Sequence, residues 1–567
     1  MTKQYNIVWA IVDSVRHYHT PGDDRTRLDF MDEFAKESVE FEHVITSAPS
    51  TVMSISAMMT SMPSFYLGRN YSDFRFDNDY FTTLSSILNS SGWETRALLM
   101  HPDIRDKLRV FDLISSKYWP KGFSHKNWWD NSKINQLLRN SLKIDGDQSP
   151  KPCFWFLDFN CREDPNTSNL VKDSFQALND AGYTEENTIF ILCSDHGYPD
   201  PSRGITPEFL KENNLTHDVF MTEDNIRIPL FVNYPGCKKG SKVSEIISTL
   251  DLKPTLLDLL EIKVDNEISS RWHGQSLLKL MNQDDANYDT ERLIRVDARF
   301  FGQSGRISAL CGTNYKYVYH HDTQNEEFID LSNYMEDEKN IISEVTSNPE
   351  LNKVFQHFKK SFNESETKGS NFQINYAVRK LSNSLNDVTL TNTPGLNMLI
   401  AAPLPLNMLQ SIASAFTSFL KVPNITIVTT ENTPLAEESP YNVYFAKVTD
   451  NSVVIDTIVE FSKFDVCVLV SNGESSLVRV DSNKEISSNS KEKKLASYVK
   501  SLKPKKIISL DLNMTVSINK GQISRYLKTL MHKKDFFIEE PSLIFFEMGK
   551  ILKALKRKAL MLLKNYD

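Results

Sequence analysis

An α/β fold, with a parallel sheet sandwiched by helices, follows from three features of the chain. Short apolar, β-branched runs recur at residues 6–12, 94–100, 153–159, 188–193 and 228–232, each long enough for one buried strand. Helix-like stretches at 28–37, 51–61, 81–90, 134–142 and 171–181 fall among them, and such alternation predicts a parallel sheet covered on both faces. The first and the 188–193 runs both end in carboxylates, where open α/β sheets gather their chemistry.

The 188–193 run organises the rest. It stops in Ser194-Asp195-His196-Gly197, and Pro199 follows, so the chain leaves the sheet in a tight turn. An Asp beside a His offers an oxygen and an imidazole nitrogen, a donor pair that suits a divalent ion of the zinc or manganese type. The first strand ends in Asp13-Ser14-Val15-Arg16, adding a second carboxylate. The segment 50–61 opens on Ser50 and Thr51, which suit a helix start, and continues as an apolar helical run. A Thr hydroxyl at a helix amino terminus sits where negative charge is favoured. Arg16, His17 and His19 follow the first strand and are expected in a solvated loop, as are Glu163 and Asp164 after the 153–159 run.

With 567 residues, the chain is expected to hold two or three domains. They are a main α/β domain at 1–345, a helix and polar linker at 346–387, a smaller α/β domain at 388–540, and a basic amphipathic helix at 541–567. A net charge of −8 gives no reason to expect a nucleic-acid partner. The apolar run at 6–12 serves better as a first strand than as a leader. The six cysteines are scattered without CxxC pairs. A cytoplasmic location is expected from both. Lys550, Lys553, Lys556, Arg557, Lys558 and Lys564 interleave with leucines and phenylalanines near the carboxyl end. That pattern suits peripheral contact with an anionic membrane face, or equally docking on the chain's own domain.

Taken in order, IVDSVR at 11–16, Ala57-Met58-Met59-Thr60-Ser61, CSDHGYPD at 193–200, IRIPLFVNYPG at 226–236 and STLDLKPTLLDLLEI at 248–262 form a specific series. With HGQSL at 273–277 and the segment NYKYVYHHDTQNEEFIDLSNYMEDEKN, it resembles the sulfatase branch of the alkaline phosphatase superfamily over about residues 6–344. The resemblance implies that superfamily's mixed sheet, with Thr51 at the nucleophile position, nine residues before Thr60. It implies one divalent ion, manganese or zinc ahead of calcium or magnesium, held by Asp13, Thr51, Asp195 and His196. His217, twelve residues before Pro229, matches a histidine that protonates the leaving oxygen or holds the transferred group.

The departures are as informative. Sulfatases carry a Cys or Ser that is oxidised to formylglycine, followed by Pro and Arg; here those places hold Thr51, Met53 and Ile55. Ser14 replaces the second of two aspartates, which disfavours a carboxylate-rich calcium site, and Glu163 stands where the family places a histidine. The expected activity is therefore metal-dependent hydrolysis or transfer on phosphate or phosphonate (di)esters, small or linked to lipid or glycan, through Thr51. The alternatives are a sulfuric ester hydrolase without formylglycine and a non-catalytic binding or assembly module.

Beyond residue 388 the runs at 397–402, 424–429, 465–471 and 506–510 alternate with helix-like stretches, predicting a small Rossmann-like sheet. Its first turn, Ala402-Pro403-Leu404-Pro405, lacks the glycines of a phosphate cradle, so no nucleotide is assigned.

Overall fold

The computed structural model describes most of residues 3–385, with the longest gaps at 68–80, 100–130, 145–150, 283–290 and 299–306, and further on mainly the strands between 397 and 518. The expected segment 541–567, Glu163 and Asp164 lie outside the described residues.

The main sheet has seven strands: β1 (Asn6–Asp13), β2 (Val39–Ile45), β3 (Glu94–Leu99), β4 (Cys153–Asn160), β5 (Thr188–Cys193), β6 (Arg227–Asn233) and β7 (Ser241–Ser248). Their order is β3-β4-β1-β5-β6-β2-β7. β3, β4, β1 and β5 run parallel, and β6 alone is antiparallel to its neighbours. The sheet is thus mixed and mostly parallel, as expected.

Because strand side chains alternate between faces, β1 builds two cores at once. Ile7, Trp9 and Ile11 enter one cluster, and Val8, Ala10 and Val12 enter the other. The helices of the main domain are α1 (Asp29–Ala35), α2 (Thr51–Thr60), α3 (Ser64–Leu67), α4 (Leu84–Ser90), α5 (Asn131–Ile144), α6 (Thr167–Asp180), α7 (Pro207–Glu212), α8 (Glu223–Ile226), α9 (Leu252–Leu259), α10 (Asn266–Ser269) and α11 (Leu278–Met281). The face bearing Trp9 receives α2, α4 and α9, while α1, α5 and α6 cover the other. Every residue of α2 is buried, so this helix is a central pillar rather than an amphipathic cover.

A second, antiparallel sheet follows: β8 (Ile294–Ala298), β9 (Ile307–Cys311), β10 (Tyr315–His320), β11 (Asn325–Asp330) and β12 (Lys339–Asn340). Phe355, Phe358 and Phe362 of the long helix α12 (Pro349–Leu385) pack on it. That helix runs through most of the segment expected as helix plus linker. Further along, α12 passes close to α3: a Cβ on Gly369 would lie 2.1 Å from the Phe65 ring, so only glycine permits the approach.

The third sheet comprises β13 (Asn397–Ala402), β14 (Asn424–Thr429), β15 (Asn442–Val448), β16 (Val453–Ile455), β17 (Val466–Ser471), β18 (Lys506–Asp511) and β19 (Val516–Ile518). Its order is β16-β15-β14-β13-β17-β18-β19. The five inner strands are parallel and reverse direction of winding between β13 and β17, the doubly wound arrangement expected for this region. Among the described residues, no helix is long and apolar enough to cross a membrane.

Candidate metal centre and active site

Asp13 at the end of β1 and Asp195-His196 just beyond β5 meet because these strands are paired neighbours in the sheet. One ligand atom from each of the three lies within 4.8 Å of the others, and all three residues are buried. Thr51, the first residue of α2, brings its Oγ1 to 3.2 Å from His196 Nε2. Ser50 is the residue that caps the helix, in an extended conformation, which leaves the Thr51 hydroxyl to face the histidine. The four side chains singled out from the sequence therefore converge.

The imidazole is oriented from behind. His196 Nδ1 lies 2.7 Å from the Gly197 carbonyl and can only donate to it, so Nε2 turns its lone pair toward Asp195 Oδ2 (3.4 Å) and Asp13 Oδ1 (3.6 Å). Burial pushes the Asp195 carboxyl above its usual range; the His196 charge opposes this and the Asp13 charge adds to it. Burial works to lower His196, but the charges of Asp195 and Asp13 outweigh it and raise the imidazole. Asp195 Oδ2 is buried and accepts no hydrogen bond. A buried carboxylate oxygen facing an imidazole lone pair and a hydroxyl is what a divalent cation needs. The donor set fits such an ion.

Sequence reasoning missed the residues that hold this set. Ser14 has φ of 66°, a left-handed turn that aims its amide at Asp195 Oδ1 (3.2 Å), while its hydroxyl donates to Asp13 Oδ1 (2.5 Å). The residue that departs from the family pattern thus ties the two carboxylates together. Thr46 and Ser54 hydroxyls both donate to the Asp195 carbonyl at 2.7 Å. The signal available was the density of Ser and Thr around α2, which an N-cap alone does not require.

Arg16 and His17 correct the expectation of a solvated loop. Arg16 is fully buried, and its guanidinium donates to the carbonyls of Tyr198 (2.8 Å) and Pro199 (3.0 Å) and to Asp23 (2.9 Å). Burying a guanidinium is expensive unless its donors are met, and here carbonyls from the loop after β5 meet them. His17 is enclosed against Tyr334, 3.1 Å from its hydroxyl. His19 alone of the three is solvent-facing, paired with Asp32 at 2.6 Å. Ile55 sits at zero exposure in the core beneath the site, so α2 presents no guanidinium there.

His217 reaches the site as well. Its ring stacks on that of His196 at 4.8 Å, with Tyr198 at 5.2 Å and the guanidinium of Arg25 3.5 Å over the Tyr198 ring. The backbone carbonyls of His217 and Phe220 both accept from Asn225 Nδ2, at 2.8 and 2.7 Å. Asn225 belongs to α8, which also receives Gly197 N–H on the Asn225 carbonyl and Tyr198 N–H on the Asp224 carbonyl. A charged cluster fixes α8 to the second sheet: Lys316 of β10 pairs with Glu223 (3.0 Å) and Glu338 (2.6 Å), and Arg203 bridges Glu338 (3.0 Å) and Asp224 (3.3 Å).

Comparison with known proteins agrees with this architecture. The family described as N-sulphoglucosamine sulphohydrolase, C-terminal, matches residues 212–368, the part that carries His217, α8 and the second sheet. An ulvan-active sulfatase of Formosa agariphila is 31% identical over 147 residues, 26% of each chain. Arylsulfatase K of Xenopus laevis is 26% identical over 185 residues, 31% of this chain and 32% of that one. The matches span between about a quarter and a third of these two relatives. Among solved structures, a 2-O GAG sulfatase superposes with a TM-score of 0.51 at 16% identity, covering 65% of this chain and 93% of its own. A Bacteroides thetaiotaomicron structure described as a sulfatase gives 0.50 at 16% identity, over 65% and 93%. By the matched segment and these relatives the chain is similar to sulfatases over part of its length, and it shares their mixed, mostly parallel α/β fold.

Proposed function

We propose that the chain hydrolyses sulfuric esters at a single divalent ion, with the unmodified Thr51 hydroxyl as nucleophile. The observation that carries this reading is the meeting of Asp13, Thr51, Asp195 and His196 at one buried point. The sulfatase relatives favour sulfur over phosphorus, so the expected phosphoester activity has less support than its alternative.

Asp13, Asp195, His196 and Thr51 Oγ1 would hold the ion, which when bound supplies a Lewis acid and lowers the pKa of the hydroxyl. Thr51 Oγ1 then attacks sulfur in line as the bond from sulfur to the ester oxygen breaks, and the Thr51 proton passes to solvent. His217 hands its proton to the departing alkoxide, giving the alcohol. Water attacks the sulfur of the threonyl sulfate and gives its proton to His217. The bond from sulfur to Thr51 Oγ1 breaks, hydrogen sulfate leaves and gives its proton to water, and Thr51 Oγ1 takes a proton from solvent to restore the hydroxyl.

One observation favours phosphate or phosphonate esters as the second reading. A threonine has no route to the aldehyde made from cysteine or serine, and Ile55 is a buried apolar residue where the family places arginine. Rates on matched aryl sulfate, aryl phosphate, aryl phosphodiester and aryl phosphonate substrates decide between them. Sulfate should be fastest, and Thr51→Val should lower that rate about a thousandfold with the ion still held by Asp13, Asp195 and His196. A preference for phosphorus establishes the second reading, and sulfate turnover that survives Thr51→Val removes Thr51 from the chemistry. No turnover, with no bound metal, establishes the non-catalytic module.

A further inference from the structure

A second cavity lies away from the metal centre, beyond the far end of α2. Thr51 begins that helix and the cavity begins past its end, at Pro63 and Tyr66, so about 15 Å of helix separates the two. It encloses about 520 Å³, within the range of about 300–1,000 Å³ typical of small-ligand sites. Its walls come from Pro63 and α3, the Ser248–Leu250 turn, the stretch between α10 and α11, β8 with the residues leading into it, β9, and helix α12. None of the residues assigned to the metal centre lines it.

The lining carries two kinds of chemistry. Arg292, Arg295 and Lys368 supply positive charge. Arg292 is committed to Asp251 at 3.0 Å, and Arg295 to Asp297 and Glu366. Lys368 is exposed and makes no hydrogen bond or ion pair with the described residues. The field is felt by His273, whose imidazole is pushed down to about 4 by close packing and by the charges of Lys368 and Arg295. The second kind is polar and neutral. Gln275 donates its backbone N–H to Asp251, but its Nε2 is buried with no partner, a donor without an acceptor in the folded chain. Glu291 and Glu364 add acceptors suited to hydroxyl groups, and the Tyr66 ring, edge-on to His273 at 4.6 Å, gives an apolar face.

A bare oxoanion would use the ammonium and leave the carboxylates repelling it. An uncharged sugar would use the carboxylates and the tyrosine and leave Lys368 idle. We infer that this cavity binds a hydroxyl-rich anion of sugar size, a monosaccharide bearing a sulfate or phosphate ester, at a site separate from the metal centre. The ester group faces Lys368 and the Gln275 amide, and the ring hydroxyls face Glu291 and Glu364.

Titration calorimetry on the full chain with glucose 6-sulfate, glucose 6-phosphate, glucose and inorganic sulfate tests this. At least one sugar ester is expected to bind about tenfold or more tightly than both glucose and sulfate. Lys368→Ala and Gln275→Leu should each weaken that binding about tenfold, and Asp195→Ala should leave it unchanged. The two esters report which oxoanion is preferred. Equal affinity for sulfate alone, no binding of any probe, or binding untouched by both cavity variants would overturn the inference. Loss of binding in Asp195→Ala would also overturn it, by placing the ligand at the metal centre. Because Asp195→Ala removes the metal chemistry, the result stands or falls independently of the sulfuric ester reading.

Discussion

Gly197 and Asp224 touch backbone to backbone: a Cβ on Gly197 would lie 2.0 Å from the Asp224 carbonyl oxygen. The glycine directly after the metal-site histidine is therefore required by close approach, since the loop after β5 must lie flat against α8 for its amides to reach the Asp224 and Asn225 carbonyls. Gly197→Ala should push the loop off α8, lowering stability by about 1–3 kcal/mol and metal affinity more than tenfold. Urea unfolding and metal titration of the same sample check both effects. Unchanged affinity would show that the loop is held by Arg16 alone.

Lys316 acts on the same loop from the second sheet. It is almost wholly buried between Glu223 and Glu338, and although burial works against its charge, the two carboxylates hold its ammonium well above the ordinary lysine value. Lys316→Met leaves Glu223 buried without its ammonium partner, facing a Glu338 that still pairs with Arg203, at a cost of about 3–5 kcal/mol. Adding Glu223→Gln should recover part of that loss, which a double-mutant cycle in urea measures. Simple additivity would mean the cluster does not act as a unit.

The metal site should exchange protons for its ion. Burial raises Asp195, and the charges of Asp195 and Asp13 raise His196, so the pair keeps a proton to a higher pH than free side chains would. Coordination requires a carboxylate and a neutral imidazole. Apparent affinity for Mn or Zn should therefore climb with pH through the neutral range and level off once both groups are deprotonated. Calorimetry in buffers of differing ionisation enthalpy should show proton release on binding near pH 6.5. Affinity flat from pH 5.5 to 8, with no release, would contradict the assigned ligands.

His43 on β2 gives the fold an acid-sensitive limb. Burial, then the Arg227 charge, depresses its imidazole to about 4. Between about pH 6.5 and 4 the unfolded chain binds this proton and the folded chain does not, so stability falls as pH drops through that window. The full shift corresponds to about 3 kcal/mol. His43→Gln should flatten the pH dependence of the urea midpoint across that interval, and an unaltered slope would remove His43 from the limb.

How far the sequence could be read depended on the range over which each cause acts. Strand periodicity and the abrupt polar ends at Asp13 and Asp195-His196 are local, and the paired neighbours β1 and β5 place both ends together once the sheet forms. Thr51 and the spacing from His217 to Pro229 were legible through the family resemblance. Arg16 was not, because its partners are carbonyls of Tyr198 and Pro199, 182 and 183 residues away, and a backbone carbonyl leaves no mark in the sequence. Ser14 counted as a lost carboxylate, when its left-handed turn makes it the link between the two that remain. Asn225 was invisible as Arg16 was, because its amide meets the backbone carbonyls of His217 and Phe220, and Lys316 because its value comes from a contact between the second sheet and α8.

The functional reading depends on one ion among four side chains, and anomalous diffraction from crystals loaded with manganese locates it directly. The account predicts one strong peak in bonding reach of Asp13, Asp195, His196 and Thr51 Oγ1, at distances of about 2.0–2.2 Å. A peak held elsewhere, or one at the carboxylates with the Thr51 hydroxyl turned away from it, would contradict it.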